Sequence, residues 1–302
     1  MKIEFYGVRG SYPVPGKDTI IFGGNTTCVS ISTEVNGKIK RLIFDCGTGV
    51  ISLGKDILKN HFAQKEDLNI LMFFTHLHPD HTQGFPFFAP NYFGNCNLSL
   101  FGFKTLKKHI GMVLEQEMLP PTFPIEYKDL KSKRNHYELK DADKLYISYN
   151  KYNTEKMIDS IFMIDCMQGF APSHPQQGAL YYKVTELKTG KSISCIWDIE
   201  SHIGGDRRVI NFIKNSDILI HDTQYTTDEY NSDKIIIQGF GHSTYEMAIE
   251  NAVQGNVKEL WCMHYNPNHT DEKLQKIGSD YNYINDTNVI IKLAREYMAV
   301  EM

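Results

Sequence analysis

The apolar run Ile70-Leu71-Met72-Phe73-Phe74 is followed almost at once by His76, His78, Asp80 and His81. Such a run reads as a buried strand. Crowding polar groups at its end costs roughly 2 to 7 kcal/mol for each neutral group left without a partner. In extended backbone His76 and His78 point to the same side, whereas Asp80 and His81 fall where the chain must turn. A metal ion would compensate the cost, since imidazole and carboxylate are the expected ligands of Zn²⁺, Mn²⁺ or Fe²⁺ in hydrolytic sites. Two ions about 3.5 to 4 Å apart can clamp both the attacking and the leaving oxygen of a phosphoryl transfer. The competing reading is a surface turn with fortuitous histidines. The density of the cluster and its place at a strand end argue against that.

The frame around this feature is ordinary. With 302 residues, 41% hydrophobic and 23% charged, the chain suits one large α/β domain or two small ones. A net charge of -4 gives no global attraction to nucleic acid or anionic membrane. The six cysteines are scattered without a C-x-x-C pair and read as reduced core thiols. "MKIEFYGVRGS" begins with strand-like alternation, which predicts no signal peptide. No apolar run approaches the roughly 20 residues of a membrane span, so the expectation is a cytoplasmic protein that makes no use of a membrane.

Residues 2–8, 27–35 and 39–45 read as strands, the last two joined by an Asn-Gly turn in "VNGK". "VISLGKDILKNHF" has helical spacing and leads to the strand "LNILMFF". Residues 85 to about 160 differ in texture, with "FPFFAPNYFGN", the strand "NLSLFGF", a helix near 104–117 and a "PPTFP" breaker; they read as an insertion. Strands follow at 180–187 and 192–197, then a helix near 206–214, the strand "DILIHD", a helix near 243–254 and the strand "ELWCMHY".

The run from His76 to His81 is an H-x-H-x-D-H motif, and over nearly its whole length the chain resembles the metallo-β-lactamase superfamily. The resemblance implies an α/β fold, a four-layer αββα sandwich, as a single domain over 1–302 with an insertion at about 85–160 after the motif. It implies two divalent metal ions, Zn or Mn ahead of Fe. "FDCGTG" resembles the family's early Asp-containing turn and makes Asp45 a supporting residue, although Gly47 and Gly49 also suit a plain strand-terminating turn. The third histidine implied is His174 in "APSHPQQGALYYKV", in preference to His109 or His136. The bridging carboxylate implied is Asp198 at the end of "SISCIWD", with Glu200 and Asp206 as competitors, because "WDIE" departs from the usual Gly-Asp-Thr turn. The last histidine implied is His264, with His269 the weaker candidate. One ion would then take His76, His78, His174 and Asp198, and the other Asp80, His81, Asp198 and His264.

"GFGHSTYEMAIENA" supplies His242 in a Gly-His-Ser-Thr loop similar to the His-Ser-Thr motif of ribonuclease Z and cyclic phosphodiesterases. In the simpler reading Ser243 or Thr244 only caps the following helix. Asp222 in "LIHDTQY" stands where those families place a carboxylate beside the histidine, which would hold a proton ready for a departing oxygen. The catalytic set is therefore His242 as general acid, Asp222 and Asp80, acting with a hydroxide held between the metals.

Ribonuclease Z carries a long basic arm between the third His and the bridging Asp, and this chain has only a short two-strand stretch there. The resemblance thus points to phosphoribosyl 1,2-cyclic phosphate phosphodiesterase-like proteins and a small, cyclic phosphodiester as substrate. Nucleic acid is disfavoured as a partner, and a homodimer is allowed. Alternatives are a ribonuclease Z-like tRNA 3′ endonuclease, a glyoxalase-type thioester hydrolase and a non-catalytic ligand or metal sensor. Phe87, Phe88, Tyr92, Phe101, Phe103 and Phe123 read either as core or as a wall that stacks on a base.

Overall fold

The computed structural model describes residues 1–61, 67–103, 109–149, 151–169, 174, 178–284 and 287–302. These fall into two compact units, one of residues 1–14, 23–139 and 296–302, the other of residues 15–22 and 140–295.

The first unit contains β1 (Lys2–Gly7), β2 (Cys28–Val35), β3 (Lys38–Phe44), α1 (Val50–His61), β4 (Leu68–Phe73), the single turn α2 (Pro79–Thr82), β5 (Cys96–Phe103), α3 (Ile110–Glu117) and β6 (Lys133–Leu139). The chain returns to it at its end, where Ala299–Glu301 forms the last strand, β15, against β1. The sheet order is β15-β1-β2-β3-β4-β5-β6. It is antiparallel as far as β3 and parallel beyond. Parallel strands are covered on both faces and therefore read as continuous apolar runs, which accounts for the buried sequence Ile70 to Phe73. Val50 and Leu53 of α1 pack with Ile43, Met72, Leu98 and Leu100 in one core.

The 85–160 stretch contributes strands to the first unit's sheet. β5 and β6 extend the parallel sheet, and residues from Lys140 onward enter the second unit. Several aromatic residues of this stretch are core. Phe88, Phe101 and Phe103 are buried, and Phe101 stacks between Phe73 at 4.7 Å and Tyr137 at 5.0 Å. Phe87, which is exposed, meets Phe123 edge to face. The helix expected from 104 is observed from Ile110, its expected start lying outside the described residues.

The second unit contains β7 (Lys144–Ile147), β8 (Tyr152–Asn153), β9 (Phe162–Gln168), β10 (Leu180–Glu186), β11 (Ser192–Ile196), α4 (Arg207–Ile213), β12 (Ile218–Asp222), α5 (Thr227–Tyr230), α6 (Tyr245–Gln254), β13 (Glu259–Met263), α7 (Asp271–Ile284) and β14 (Ile290–Leu293). Its sheet runs β14-β13-β12-β11-β10-β9-β7-β8. The strands from β11 to β14 are parallel, and the rest are antiparallel. Both sheets are thus mixed and accompanied by helices. All six cysteines are buried and free. Among the described residues no helix is long and apolar enough to cross a membrane.

Candidate functional site

In each unit several candidate site residues lie at the C-terminal ends of parallel strands, where open α/β sheets expose their binding crevices. Asp45 follows β3, Asp198 comes just after β11 and His264 follows β13. All three adopt left-handed backbone, with φ of 59°, 58° and 61°. Such values are uncommon outside glycine and cluster at functional sites.

In the first unit the backbone leaves β4 through Thr75 and folds into α2, which gathers the His76 to His81 segment. The His76 ring lies 4.5 Å from that of His78 and 4.2 Å from that of His81. His76, Asp80 and His81 are buried, and His78 is exposed. Buried Asp45 organises the group. It accepts hydrogen bonds from the Thr75 N–H at 2.8 Å, the Thr75 hydroxyl at 2.7 Å and His81 Nδ1 at 2.8 Å. Because the Thr75 hydroxyl donates to Asp45, it accepts from His76 Nδ1, 3.1 Å away. One carboxylate thereby orients two imidazoles through their Nδ1 atoms, which is how outer partners orient metal-binding imidazoles. His81 Nε2 stands 3.3 Å from the Asp80 carboxylate.

The glycine turn makes the approach possible. A Cβ on Gly47 would lie 2.3 Å from the Asp80 carbonyl oxygen, and Cys46 donates its N–H to the His81 carbonyl at 2.8 Å. Two contributors escaped the sequence reading. The Ser11 N–H donates to Asp80 Oδ2 at 2.7 Å, and the Thr82 hydroxyl donates to Glu117 at 2.6 Å. Burial raises the Glu117 carboxyl above its usual range, an effect partly offset by Thr82. No local pattern marks either contact, because both partners are distant in sequence. Arg9, whose Nε donates to the Gly23 carbonyl, and Asn25, which bonds Glu296, brace the N-terminal loops.

In the second unit His264 Nε2 lies 3.2 Å from Asp198 Oδ2. The His242 ring stacks on that of His264 at 5.0 Å and meets that of His174 edge to face at 5.7 Å. His242 Nδ1 donates to Asp222 at 2.8 Å. The Asp222 carboxylate also accepts the N–H groups of Ile199 at 3.2 Å and Gln224 at 3.0 Å. His174 Nδ1 donates to the Gly241 carbonyl at 3.3 Å. Potential ligand atoms of Asp222, His242 and His264 all lie within 4.8 Å of one another. The donor set in both units, imidazole Nε2 and carboxylate oxygen with outer hydrogen bonds in place, fits divalent transition metals.

The competing candidates are engaged elsewhere. His136 accepts from or donates to the Tyr127 hydroxyl at 2.7 Å and faces His109. Asp206 caps α4, accepting from the Arg208 and Val209 N–H groups. His269 pairs with Glu229 at 2.9 Å. Thr244 caps α6, so the capping role and the presentation of His242 coexist in one loop. His221 is buried, with Nδ1 donating to the Asp222 carbonyl at 2.8 Å and the Asn251 amide near Nε2. Burial holds its pKa below the usual histidine value, as befits a neutral strand residue.

No protein-family model matches the chain. It is similar to the ribonuclease Z of Picrophilus torridus, 28% identical over 299 residues that cover 90% of this chain and 88% of that protein. The ribonuclease Z of Oceanobacillus iheyensis is 25% identical over 305 residues, covering 92% and 93%. Among solved structures, the metallo-β-lactamase fold protein YhfI from Bacillus subtilis superposes with a TM-score of 0.61 at 16% identity, with 99% of each chain covered. The class is thereby defined: the chain has the metallo-β-lactamase fold. Within that fold it resembles the phosphodiesterase branch.

Proposed function

We propose that this chain is a metal-dependent phosphodiesterase that cleaves a small, cyclic phosphodiester at a dinuclear site. His76, His78, His174 and Asp198 would hold one ion and Asp80, His81, Asp198 and His264 the other, with Asp198 shared. When bound, the ions supply Lewis acidity and a nucleophile near neutral pH. The protein's own residues do the rest. Asp45 and Thr75 hold the imidazoles of His76 and His81 in the ligating tautomer. Asp222 accepts the Nδ1–H of His242 and orients the ring, so a proton on Nε2 can be passed to the departing oxygen while the Nδ1 proton stays hydrogen-bonded to Asp222.

The His242–Asp222 hydrogen bond carries this reading. An alkoxide is a poor leaving group and needs a proton, whereas a thiolate leaves readily without one. The preference for a small substrate rests on the compact β10–β11 hairpin, which occupies the described residues between His174 and Asp198 where ribonuclease Z has its arm. A second reading, tRNA 3′ processing, is favoured by the curated relatives, which are ribonuclease Z proteins.

The test is to assay purified protein, with metal content measured, on bis-p-nitrophenyl phosphate, cyclic nucleotides, a precursor tRNA and S-lactoylglutathione. Turnover of the diesters with two ions bound is expected. Cleavage of precursor tRNA in preference to small diesters would install the second reading. Efficient thioester hydrolysis without diester cleavage would overturn both.

A further inference from the structure

We infer that Glu200 is a positioning residue that sets the loop carrying His242, and so governs proton delivery to the leaving group. The inference rests on the phosphodiesterase reading above. Glu200 lies two residues past Asp198 and is almost entirely buried. A buried carboxylate is tolerated only when hydrogen bonds satisfy it, and here three residues do so. The Tyr230 hydroxyl at the end of α5 donates to Oε1 at 2.5 Å. The Gly239 N–H reaches both oxygens at 2.8 Å, and the Gly241 N–H reaches Oε2 at 3.0 Å.

These two glycines have φ of 86° and 89°, left-handed values that a side chain rarely adopts. Their N–H groups converge on one anion in the manner of an anion-binding nest. The carboxylate at that point comes from the protein itself, so the loop is closed before any substrate arrives. His242 follows Gly241 directly, and the Gly241 carbonyl accepts from His174 Nδ1. The same turn is bound from its other side. The Ser243 hydroxyl donates to the Ile199 carbonyl at 2.5 Å, and the Ser201 N–H donates to Ser243 Oγ at 3.1 Å. The Ile199 N–H meets Asp222, which also holds His242. Residues 198–201 are therefore the platform on which the His242 loop is docked, and Glu200 is its charged anchor. This assigns a role to the "WDIE" turn where it departs from Gly-Asp-Thr.

The experiment compares Glu200→Gln and Glu200→Ala with wild type, saturated with metal, on aryl phosphodiesters graded from p-nitrophenyl to phenyl leaving groups. We expect kcat to fall about 10- to 100-fold for the phenyl ester, the scale of a misplaced catalytic group, with little loss for p-nitrophenyl. In the background of His242→Ala the Glu200 substitution should add almost nothing, because the two act as a unit. Amide exchange at Gly239 and Gly241 should accelerate in Glu200→Ala, and the ¹⁵N signature of the His242 Nδ1–H tautomer should weaken. The exchange and tautomer measurements stand even if wild type turns over no diester, so failure of the activity reading is told apart from failure of the anchor. If Glu200→Ala does not fold, Tyr230→Phe removes one donor to the same carboxylate and should shift every readout in the same direction by less. Equal losses across the leaving-group series, additive effects with His242→Ala, or unchanged exchange at both glycines would overturn the inference.

Discussion

Two carboxylate–histidine pairs, one in each unit, share a single bond length and differ in surroundings. Asp45 and His81 are joined at 2.8 Å, as are Asp222 and His242. The His81 side chain is fully sealed, whereas that of His242 retains 10% of its exposure. Asp45 spends its remaining capacity on Thr75 and thus on a second histidine. Asp222 spends its own on backbone N–H groups that fix a turn. The same hydrogen bond therefore serves two ends. On the function proposed above, the sealed pair presents Nε2 to a cation and the open pair presents Nε2 to the departing oxygen.

That contrast can be broken most forcefully at His242. Substituting His242→Ala should lower kcat by roughly 10² to 10⁴ for a poor leaving group, shrink to a small effect with p-nitrophenolate, and leave metal content unchanged. Loss of metal in this variant would erase the division of labour. Asp45→Ala should do the reverse, weakening metal affinity about 10- to 100-fold with the leaving-group dependence intact at saturating metal, as read by metal titration alongside the aryl diester series. The smallest effect sharpens the comparison through a third pair, Glu229 with His269. Burial pushes the Glu229 carboxyl upward, but hydrogen bonds from His269 and Lys273 outweigh it and hold the pKa at about 2, below the ordinary 4.5. A carboxyl depressed on folding stabilises the native state above its unfolded pKa, and that contribution is lost as pH falls from about 4.5 towards 2. Glu229→Gln should cost at most about 1 kcal/mol, the scale of a partly exposed ion pair. It should flatten the pH dependence of stability in that window, with kcat unchanged. A drop in kcat would mean that this pair, too, belongs to the site.

Legibility in the sequence follows the same division. The first cluster is legible because its members lie within six positions of one another. Alternation along an extended strand followed by a tight turn brings them together whatever the rest of the chain does. Asp45 was visible as a strand-ending Asp in a glycine turn, although its bond to Thr75 was not. The second cluster had to be inferred through family likeness, since His174, Asp198, Asp222, His242 and His264 are spread over ninety positions. Glu200 and His269 could be weighed only as rival ligands, and their actual partners, Gly239, Gly241, Tyr230 and Glu229, come from elements that no local pattern connects to them.

The sequence by itself determined the strands and the glycine turns, because hydrophobic periodicity and backbone preference act over a few residues. Only the tertiary structure decided which strand ends become neighbours. The parallel pairing of β11, β12 and β13 sets Asp198, Asp222 and His264 side by side, and left-handed backbone at Asp198 and His264 is tolerated there. Strand order depends on the packing of whole sheets, and the hydrogen bonds that distinguish a metal ligand from a proton donor or a structural pair exist only once that packing is complete.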